Sequence, residues 1–89
     1  MKAVYKYELK VKDSQYVSMP RNAEILTVQM QHDIPIIWAL VDTEESVGVI
    51  DIEIYGTGHP IPDSKREYIG TFQVNNGFLV WHVFKMLLP

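Results

Sequence analysis

The sequence predicts an all-β fold of about seven antiparallel strands, arranged as a small sandwich or a partly open barrel. Three observations predict this. Polar and apolar residues alternate with a period of two through most of the 89 residues, which is typical of strands with one buried face. Turn-forming residues interrupt the alternation at short intervals. No window long enough for a helix shows clear amphipathic helical spacing.

The first predicted strand is YKYELKVK, residues 5–12. Its two tyrosines, Leu9 and Val11 share one parity, whereas its lysines and its glutamate share the other. Successive side chains of a strand point to opposite faces of a sheet, so this strand should have one buried and one solvated face. The following DSQ predicts a turn, and YVSMP predicts a short second strand that ends at Pro20.

The third predicted strand, AEILTVQMQ, alternates again. We expect Leu26, Val28 and Met30 to face the core because they share one parity. The two residues that follow the strand, His32 and Asp33, predict a tight hairpin connection, although the pair lacks the glycine that is usual in such turns.

Two stretches are apolar on both parities: Ile36–Val41 and FLVWHVFKMLLP, residues 78–89. This predicts either a central strand that is covered on both sides or an outer face that meets a partner. Asn75–Gly77 directly precedes the second stretch and predicts a hairpin turn, because Asn and Gly adopt positive φ angles at low cost. A helix is the alternative for residues 78–88, but their aromatic and β-branched content favours a strand.

The fifth predicted strand is VGVIDIEIYG, residues 47–56, whose isoleucines should face the core. Its acidic side chains, Asp51 and Glu53, share the outward parity. If this strand lies beside the first, Lys6 or Lys10 should pair with one of these carboxylates and contribute roughly 0.3 kcal/mol.

A loop with two glycines, a histidine and two prolines, GTGHPIPD, follows this strand. Its glycine amides and His59 are typical of an anion-binding nest. However, a phosphate-binding glycine motif normally leads into a helix, which Pro60 and Pro62 oppose. In the alternative interpretation, Gly56 and Gly58 supply turn dihedrals and the prolines stiffen an exposed crossover. The sequence leaves both interpretations open.

Few other residues point to chemistry. His32, His59 and His82 lie on separate turns and strands without the spacing of zinc ligands, so we expect no metal site. No catalytic signature occurs, and two carboxylates along one strand, Asp51 and Glu53, usually mark a solvated face. We therefore expect no enzymatic activity and no cofactor.

Composition limits the class of protein. With 47% hydrophobic residues, the chain is predicted to form one globular domain, residues 1–89. The net charge of −3 argues against a nucleic-acid partner. The lack of cysteine, of a signal-peptide core and of a long apolar run predicts a cytoplasmic protein that does not span a membrane. Because Met86, Leu87 and Leu88 are unusual in a free tail, we expect residues 85–89 to be either a tail or an oligomer contact.

Several stretches resemble a small family of phage-borne and bacterial proteins. They are AVYKYELKV, the segment from ILTVQ to WALVD (Ile25–Asp42), YGTGHP (Tyr55–Pro60) and YIGTFQVNNGFLVWHVF, which ends in WHVF (Trp81–Phe84). The resemblance extends from about Ala3 to Phe84 and leaves Lys85–Pro89 outside it. It implies no particular activity. It implies a phage or prophage accessory protein in the cytoplasm of a bacterial host, where small proteins of this kind often bind a host protein.

The resulting hypothesis is a non-enzymatic β-rich binding module, expected to be a homodimer, that engages a host protein or a partner subunit. The residues expected at its interfaces are Ile37, Trp81, Phe84, Met86 and Leu87. The alternative hypothesis is a protein that binds or sequesters a small molecule, such as a nucleotide signal. In that hypothesis, the loop after the fifth strand holds phosphate and an aromatic ring stacks on a base. The residues assigned to that site are Trp38, Tyr55, Gly56, Thr57, Gly58, His59 and Pro60.

Overall fold

The computed structural model describes residues 1–87, which form seven strands and one short 3-10 turn. The strands are β1 (Lys2–Glu8), β2 (Ser14–Pro20), β3 (Glu24–Gln31), β4 (Ile34–Asp42), β5 (Val47–Gly56), β6 (Arg66–Val74) and β7 (Leu79–Met86). The predicted all-β class and strand number are confirmed for this part of the chain. The segment for which a helix was the alternative is strand β7.

The strands form two antiparallel sheets. The three-stranded sheet has the order β1-β4-β3, and the four-stranded sheet has the order β2-β5-β7-β6. The two stretches that are apolar on both parities therefore become inner strands, β4 and β7, which have a neighbour on each side. The sheets pack face to face without closing into a barrel, so the sandwich is the correct one of the two predicted forms.

The core lies between the sheets and is built from alternate residues of the strands. Ile37 and Val41 of β4 face Ile52 of β5 and Val83 of β7, and all four are fully buried. Burying a side chain of this size contributes about 1.5–3 kcal/mol. No polar or charged residue between residues 1 and 87 is buried, so polar chemistry is confined to the outer faces and the edges of the sandwich.

The two sheets approach each other closely along one side of the sandwich and leave a groove along the other. On one side β3 lies against β6, and Gly70 makes this approach close, since an added Cβ there would lie 2.7 Å from Cγ1 of Val28. On the other side an open groove of about 480 Å³ runs between β1 and β2. The β1 edge is therefore the less covered edge of the three-stranded sheet.

One expected inward-facing residue points outward. Leu26 is the extra residue of a β-bulge in β3, because Ile25 pairs with Ala39 and Thr27 pairs with Trp38. A bulge shifts the alternation by one residue. Ile25 consequently packs against the core and Leu26 is exposed, contrary to the prediction.

The expected ion pairs between the first and fifth strands do not form. β1 pairs with β4 in the three-stranded sheet, whereas β5 belongs to the other sheet. Lys6 and Lys10 are therefore not placed beside Asp51 or Glu53. The Lys6 ammonium instead donates a hydrogen bond to the side chain of Gln31, at 2.7 Å.

Both predicted hairpin turns are confirmed. His32 and Asp33 form the two-residue β3–β4 connection with φ angles of 50° and 65°, as a type I′ turn requires. Asn75, Asn76 and Gly77 connect β6 to β7 with φ angles of 53°, 55° and 89°.

Residues 57–65 form a crossover between β5 and β6. β7 lies between these two strands and is antiparallel to both, so β5 and β6 run in the same direction and the connection must return along the sheet. The crossover interpretation of the proline-containing loop is thus correct.

The first part of the expected tail belongs to the sheet. Lys85 and Met86 are the last residues of β7, and the Leu87 amide donates to the carbonyl of Lys65 at 3.1 Å. Leu88 and Pro89 lie outside the described residues.

Candidate functional site

The candidate site is the face of the four-stranded sheet that points away from the core, called here the outer face. Its side chains belong to the strand positions that alternate with buried ones. They are Ser14, Tyr16, Ser18 and Pro20 of β2, Val47, Val49, Asp51, Glu53 and Tyr55 of β5, Arg66, Tyr68, Thr71 and Gln73 of β6, and Val80, His82, Phe84 and Met86 of β7. The outer face therefore combines aromatic and aliphatic side chains with few charges.

Arg66 joins the crossover to the outer face. Its Nη2 lies 3.3 Å from Oε1 of Glu53, and its guanidinium carbon lies 5.9 Å from the centre of the Tyr55 ring. Its Nη1 donates to the carbonyl oxygens of Pro62 and Ser64. The Arg66 side chain is only 10% exposed, and charge-assisted hydrogen bonds that are shielded from water are stronger than those of surface pairs. The crossover is consequently fixed to this face.

An aromatic cluster surrounds Phe84. The Tyr55 ring meets it edge to face with the ring centres 6.0 Å apart, and the Tyr68 ring does so at 5.5 Å. Burial raises the pKa of the Tyr55 hydroxyl above its usual range, and its 2.7 Å hydrogen bond to the Glu53 carboxylate acts in the same direction. The phenol therefore stays neutral and continues to donate to Glu53.

A hydrogen-bonded chain links the crossover to β6 and β7. Thr57 Oγ1 lies 2.8 Å from Nε2 of His82, whose Nδ1 lies 3.0 Å from Oγ1 of Thr71. Thr71 in turn shares a hydrogen bond with the Tyr68 hydroxyl. Hydroxyl groups both donate and accept, so either tautomer of His82 is satisfied. In the described structure no carboxylate contacts the ring, so the arrangement lacks the orienting acid of a catalytic triad.

An apolar groove of about 400 Å³ lies at the end of the outer face where β7 stops. It is lined by Tyr16, Val49, Ile50, Asp51, Lys85, Met86 and Leu87. β7 pairs with β5 along Ile52–Gly56 alone, so within residues 1–87 the first half of β5 has a paired strand only on its β2 side. Tyr16 and Val49 are 76% and 63% exposed. Exposed apolar side chains that adjoin one another are typical of an interaction surface.

The loop after β5 is a closed turn rather than an open anion nest. The His59 amide donates to the Gly56 carbonyl at 3.1 Å, and Gly58 has the positive φ, 85°, that the third residue of such a turn needs. The His59 ring packs on Gly56, where an added Cβ would lie 2.8 Å from Cε1. Gly58 therefore supplies a turn dihedral, as the alternative interpretation expects, whereas Gly56 provides space for the histidine.

The structure does not bring all residues of the predicted ligand site together. Trp38 belongs to β4 of the other sheet, where its ring lies 6.0 Å from the Lys6 ammonium, so it is not available to a ligand at the loop. Tyr55 precedes the loop but is engaged with Glu53. The aromatic residues beside the loop are ones that the ligand hypothesis did not include. A cavity of about 210 Å³ is lined by Gly56, Thr57, His59, Phe78, Leu79, Val80 and Trp81.

The residues predicted at interfaces also fall into two groups. Phe84 belongs to the outer face, and Met86 and Leu87 line its groove. Ile37 is 0% exposed because its parity faces the other sheet, so it has no surface to offer a partner and must be removed from the predicted set. Trp81 faces inward and packs against the core.

Sequence reasoning missed Arg66 and three exposed residues of the apolar side of this face, Tyr16, Val47 and Val49. Glu53 lies shortly before the crossover and Arg66 directly follows it. Two opposite charges on either side of the loop were the sequence feature that could have predicted this ion pair. Tyr16 lies between Gln15 and Val17, on the parity opposite to the buried side of β2. An aromatic residue on the solvated parity of a strand was the signal there.

No three histidine, aspartate or glutamate side chains of residues 1–87 lie close enough together to hold a metal ion.

None of the helical structure in residues 1–87 has the length and apolar character needed to cross a membrane.

A protein-family model matches nearly the whole chain. The family is described as a domain of unknown function, DUF7352, and the match covers residues 1–88. It includes residues 85–88, which the resemblance seen in the sequence left outside. No curated protein and no solved structure matches the chain.

Proposed function

This chain belongs to the DUF7352 family, a domain of unknown function, and from its surfaces we propose that it is a non-enzymatic binding module that engages a partner protein. The partner binds the outer face of the four-stranded sheet. The module itself is a homo-oligomer.

The observation that carries the proposal is a strip of apolar side chains on the outer face, called here the apolar strip. It consists of Tyr16, Val47, Val49, Met86 and Leu87, which come from β2, β5 and the end of β7. All of them except Met86 are exposed. Aromatic residues and methionine are enriched in the cores of protein interfaces, and this composition supports a protein partner.

The outer faces of the two sheets differ in charge. The outward parity of the three-stranded sheet carries Lys2, Lys6, Glu8 and Glu24. On the four-stranded sheet, Glu53 is paired with Arg66, and the other charged side chains described at the outer face and its groove are Asp51 and Lys85. Since interface cores are depleted of charge, the outer face of the four-stranded sheet is the better docking surface.

The outer face is also large enough and already ordered. Four strands spaced by about 4.8 Å, with seven to ten residues each at about 3.3 Å, cover roughly 500–600 Å² in projection, close to the ~800 Å² that one partner buries in a standard interface. The ion pair of Arg66 and the ring contacts of Phe84 hold side chains in place before binding. Little conformational entropy is therefore lost on association.

The resemblance to phage-borne and bacterial proteins supports a particular cellular setting for this function. In that setting the chain is a phage or prophage accessory protein, and its partner is a protein of the bacterial cytoplasm.

Site-specific photocrosslinking in bacterial cells tests the proposal. A photoreactive amino acid replaces Val49 on the apolar strip, and a matched control replaces Leu26, an exposed strand residue on the other sheet. We expect a discrete adduct from position 49 that is absent from position 26. Met86→Glu, which places a charge in the groove, should remove the adduct without unfolding the protein.

Two results would contradict the proposal. One is the same adducts from positions 49 and 26, which would indicate random encounters. The other is an adduct at position 49 that Met86→Glu leaves intact.

A second candidate function is the small-molecule site predicted at the loop after β5. The observation that favours it is the cavity of about 210 Å³ in which Phe78 and Trp81 stand beside His59. Thermal-shift screening with nucleotides and cyclic dinucleotides tests it, because a ligand at about 100 times its Kd adds roughly 2.7 kcal/mol of stability. A shift that Phe78→Ala removes supports the site, and the absence of any shift rejects it.

A further inference from the structure

We infer that two copies of this chain join edge to edge along β1, in the antiparallel register that sets Lys2 of each copy opposite Glu8 of the other. The inference rests on the homo-oligomer of the proposed function and names the surface that makes it. The two three-stranded sheets then form one continuous six-stranded sheet, and the apolar strips remain free for partners.

The outer side of β1 is an unpaired strand edge. Among residues 1–87, β4 is the only strand that pairs with β1, and the open groove between β1 and β2 leaves this edge accessible. The opposite edge of the same sheet is less available, because β3 lies against β6 at Val28 and Gly70. An unpaired strand edge offers a row of main-chain donors and acceptors to another chain.

The hydrogen bonds to β4 show which groups of β1 face outward. The Met1 carbonyl accepts from the Thr43 amide, and the Leu9 amide donates to the Pro35 carbonyl, at 2.8 and 2.9 Å. Odd-numbered residues thus direct their main-chain groups toward β4, and even-numbered residues direct theirs to the free edge. The free groups belong to Lys2, Val4, Lys6 and Glu8.

These free groups restrict the register of a symmetric antiparallel pair. Hydrogen-bonded positions must match an even residue with an even residue. Three such registers overlap five or more residues of β1. One sets Lys2 opposite Lys6, another sets Lys6 opposite its own copy, and the third sets Lys2 opposite Glu8 and Val4 opposite Lys6. Like charges directly opposite each other destabilise a strand pair and opposite charges stabilise it. The third register also uses all seven strand residues, so charge and length select the same one.

The side chains of β1 suit this register. Lys6 does not shield the edge, because its ammonium reaches across the sheet to Gln31 and lies 6.0 Å from the Trp38 ring. Val4 and Tyr5 are 56% and 43% exposed. The two-fold axis brings Tyr5 against its own copy at a position that is not hydrogen-bonded, where facing side chains come closest.

Exchanging the charges at positions 2 and 8 tests the inference. Light scattering after size-exclusion chromatography measures the mass of each variant. We expect the unaltered protein to have twice the 10.3 kDa mass of one chain. Lys2→Glu or Glu8→Lys alone should weaken association about tenfold or more, since each creates two like-charge pairs between the copies. The double variant Lys2→Glu/Glu8→Lys should recover the dimer. An equimolar mixture of the two single variants should also form a dimer, because each like-charge pair then becomes an opposite-charge pair.

The controls separate this inference from the function on which it rests. Lys65→Glu, an exposed charge reversal away from the edge, should leave the mass unchanged, and circular dichroism checks that each variant is folded. A monomeric unaltered protein at all concentrations overturns both the homo-oligomer and the β1 edge. A dimer that the single variants leave intact, or that the double variant does not recover, overturns the β1 edge alone.

Discussion

The β3–β4 turn consists of two residues in a backbone region that most side chains avoid. His32 and Asp33 have φ angles of 50° and 65°, where the Cβ of an L-residue approaches its own backbone. Glycine has no such contact, although it also makes the unfolded chain more flexible. Asp33→Gly should therefore raise the free energy of unfolding by about 0.5 kcal/mol, measured by urea denaturation.

Asp63→Gly is the matched control, because Asp63 lies in the exposed crossover and does not have a positive φ. It should leave stability unchanged or lower it slightly through the unfolded chain. A lower stability of Asp33→Gly would show that Asp33 is not strained.

Tyr55 makes the stability of the protein depend on alkaline pH. Its pKa is raised above the ordinary value of a tyrosine, mainly by burial and then by Glu53. A group with a raised pKa in the folded state stabilises it fully below its unfolded pKa, and that stability is lost as pH rises through the folded pKa. The free energy of unfolding should therefore fall above about pH 10, and Tyr55→Phe should make this fall shallower. Urea denaturation between pH 9 and 11.5 measures the slope.

Burial also raises the pKa of Tyr7, so part of the slope should remain in Tyr55→Phe. Tyr16→Phe is the matched control, because it removes the same hydroxyl from an exposed ring. Equal slopes in Tyr55→Phe and the unaltered protein would contradict the assigned role of Tyr55.

Strands β3 and β6 approach each other through one glycine. An alanine Cβ at Gly70 would lie 2.7 Å from Val28 Cγ1, and overpacking of this kind costs about 1–3 kcal/mol. Gly70→Ala should therefore lower the free energy of unfolding by that amount. Combining it with Val28→Ala should destabilise less than the sum of the two single changes, because the second change removes the clashing methyl group. Strict additivity in this double-mutant cycle would contradict the close contact.

The crossover is held to the outer face by the side chain of Arg66. Arg66→Met keeps most of the side-chain volume but leaves Glu53, 23% exposed, without its cation. We expect a loss of about 1–3 kcal/mol and faster cleavage after Lys65 by a lysine-specific protease, because the crossover carbonyls lose their donor. Arg21→Met, in the exposed β2–β3 turn, is the control. Unchanged cleavage in Arg66→Met would mean that other contacts hold the crossover.

Local pattern predicted the elements well, but not how they are combined. Apolar residues on both parities predicted either central strands or an outer face that meets a partner. β4 and β7 are central strands, but β5 is central as well although its residues alternate. The bulge at Leu26 did leave a signal, because the adjacent apolar residues Ile25 and Leu26 break the alternation, but the pattern alone does not say which of the two faces the core. The separation of β1 from β5 depends on tertiary packing, and the contact between Arg66 and the crossover depends on the return path of the chain. The candidate site was therefore predicted only in part, through Phe84, Met86 and Leu87.

The flat shape of the molecule leaves both of its sheets with exposed surfaces, which differ in composition. It measures 40 × 34 × 16 Å, so nearly every strand has one face or edge exposed to solvent. The three-stranded sheet carries charges on its outer face and an open edge at β1. The four-stranded sheet carries the apolar strip and the crossover. Copies that join through one sheet can therefore bind partners through the other.

An edge-joined dimer links stability to protein concentration. When the dimer dissociates only on unfolding, a tenfold increase in concentration adds about 1.4 kcal/mol to the stability of the dimer. For a dimer of this size the melting temperature should rise by about 4 °C. Glu8→Lys should lower the melting temperature at each concentration, because Lys2 then faces a lysine across the edge, and Lys2→Glu/Glu8→Lys should restore it. Differential scanning calorimetry at several concentrations measures both effects. A melting temperature of Glu8→Lys equal to that of the unaltered protein at every concentration would place the contact between the copies elsewhere than on β1, because like charges across that edge would oppose association there.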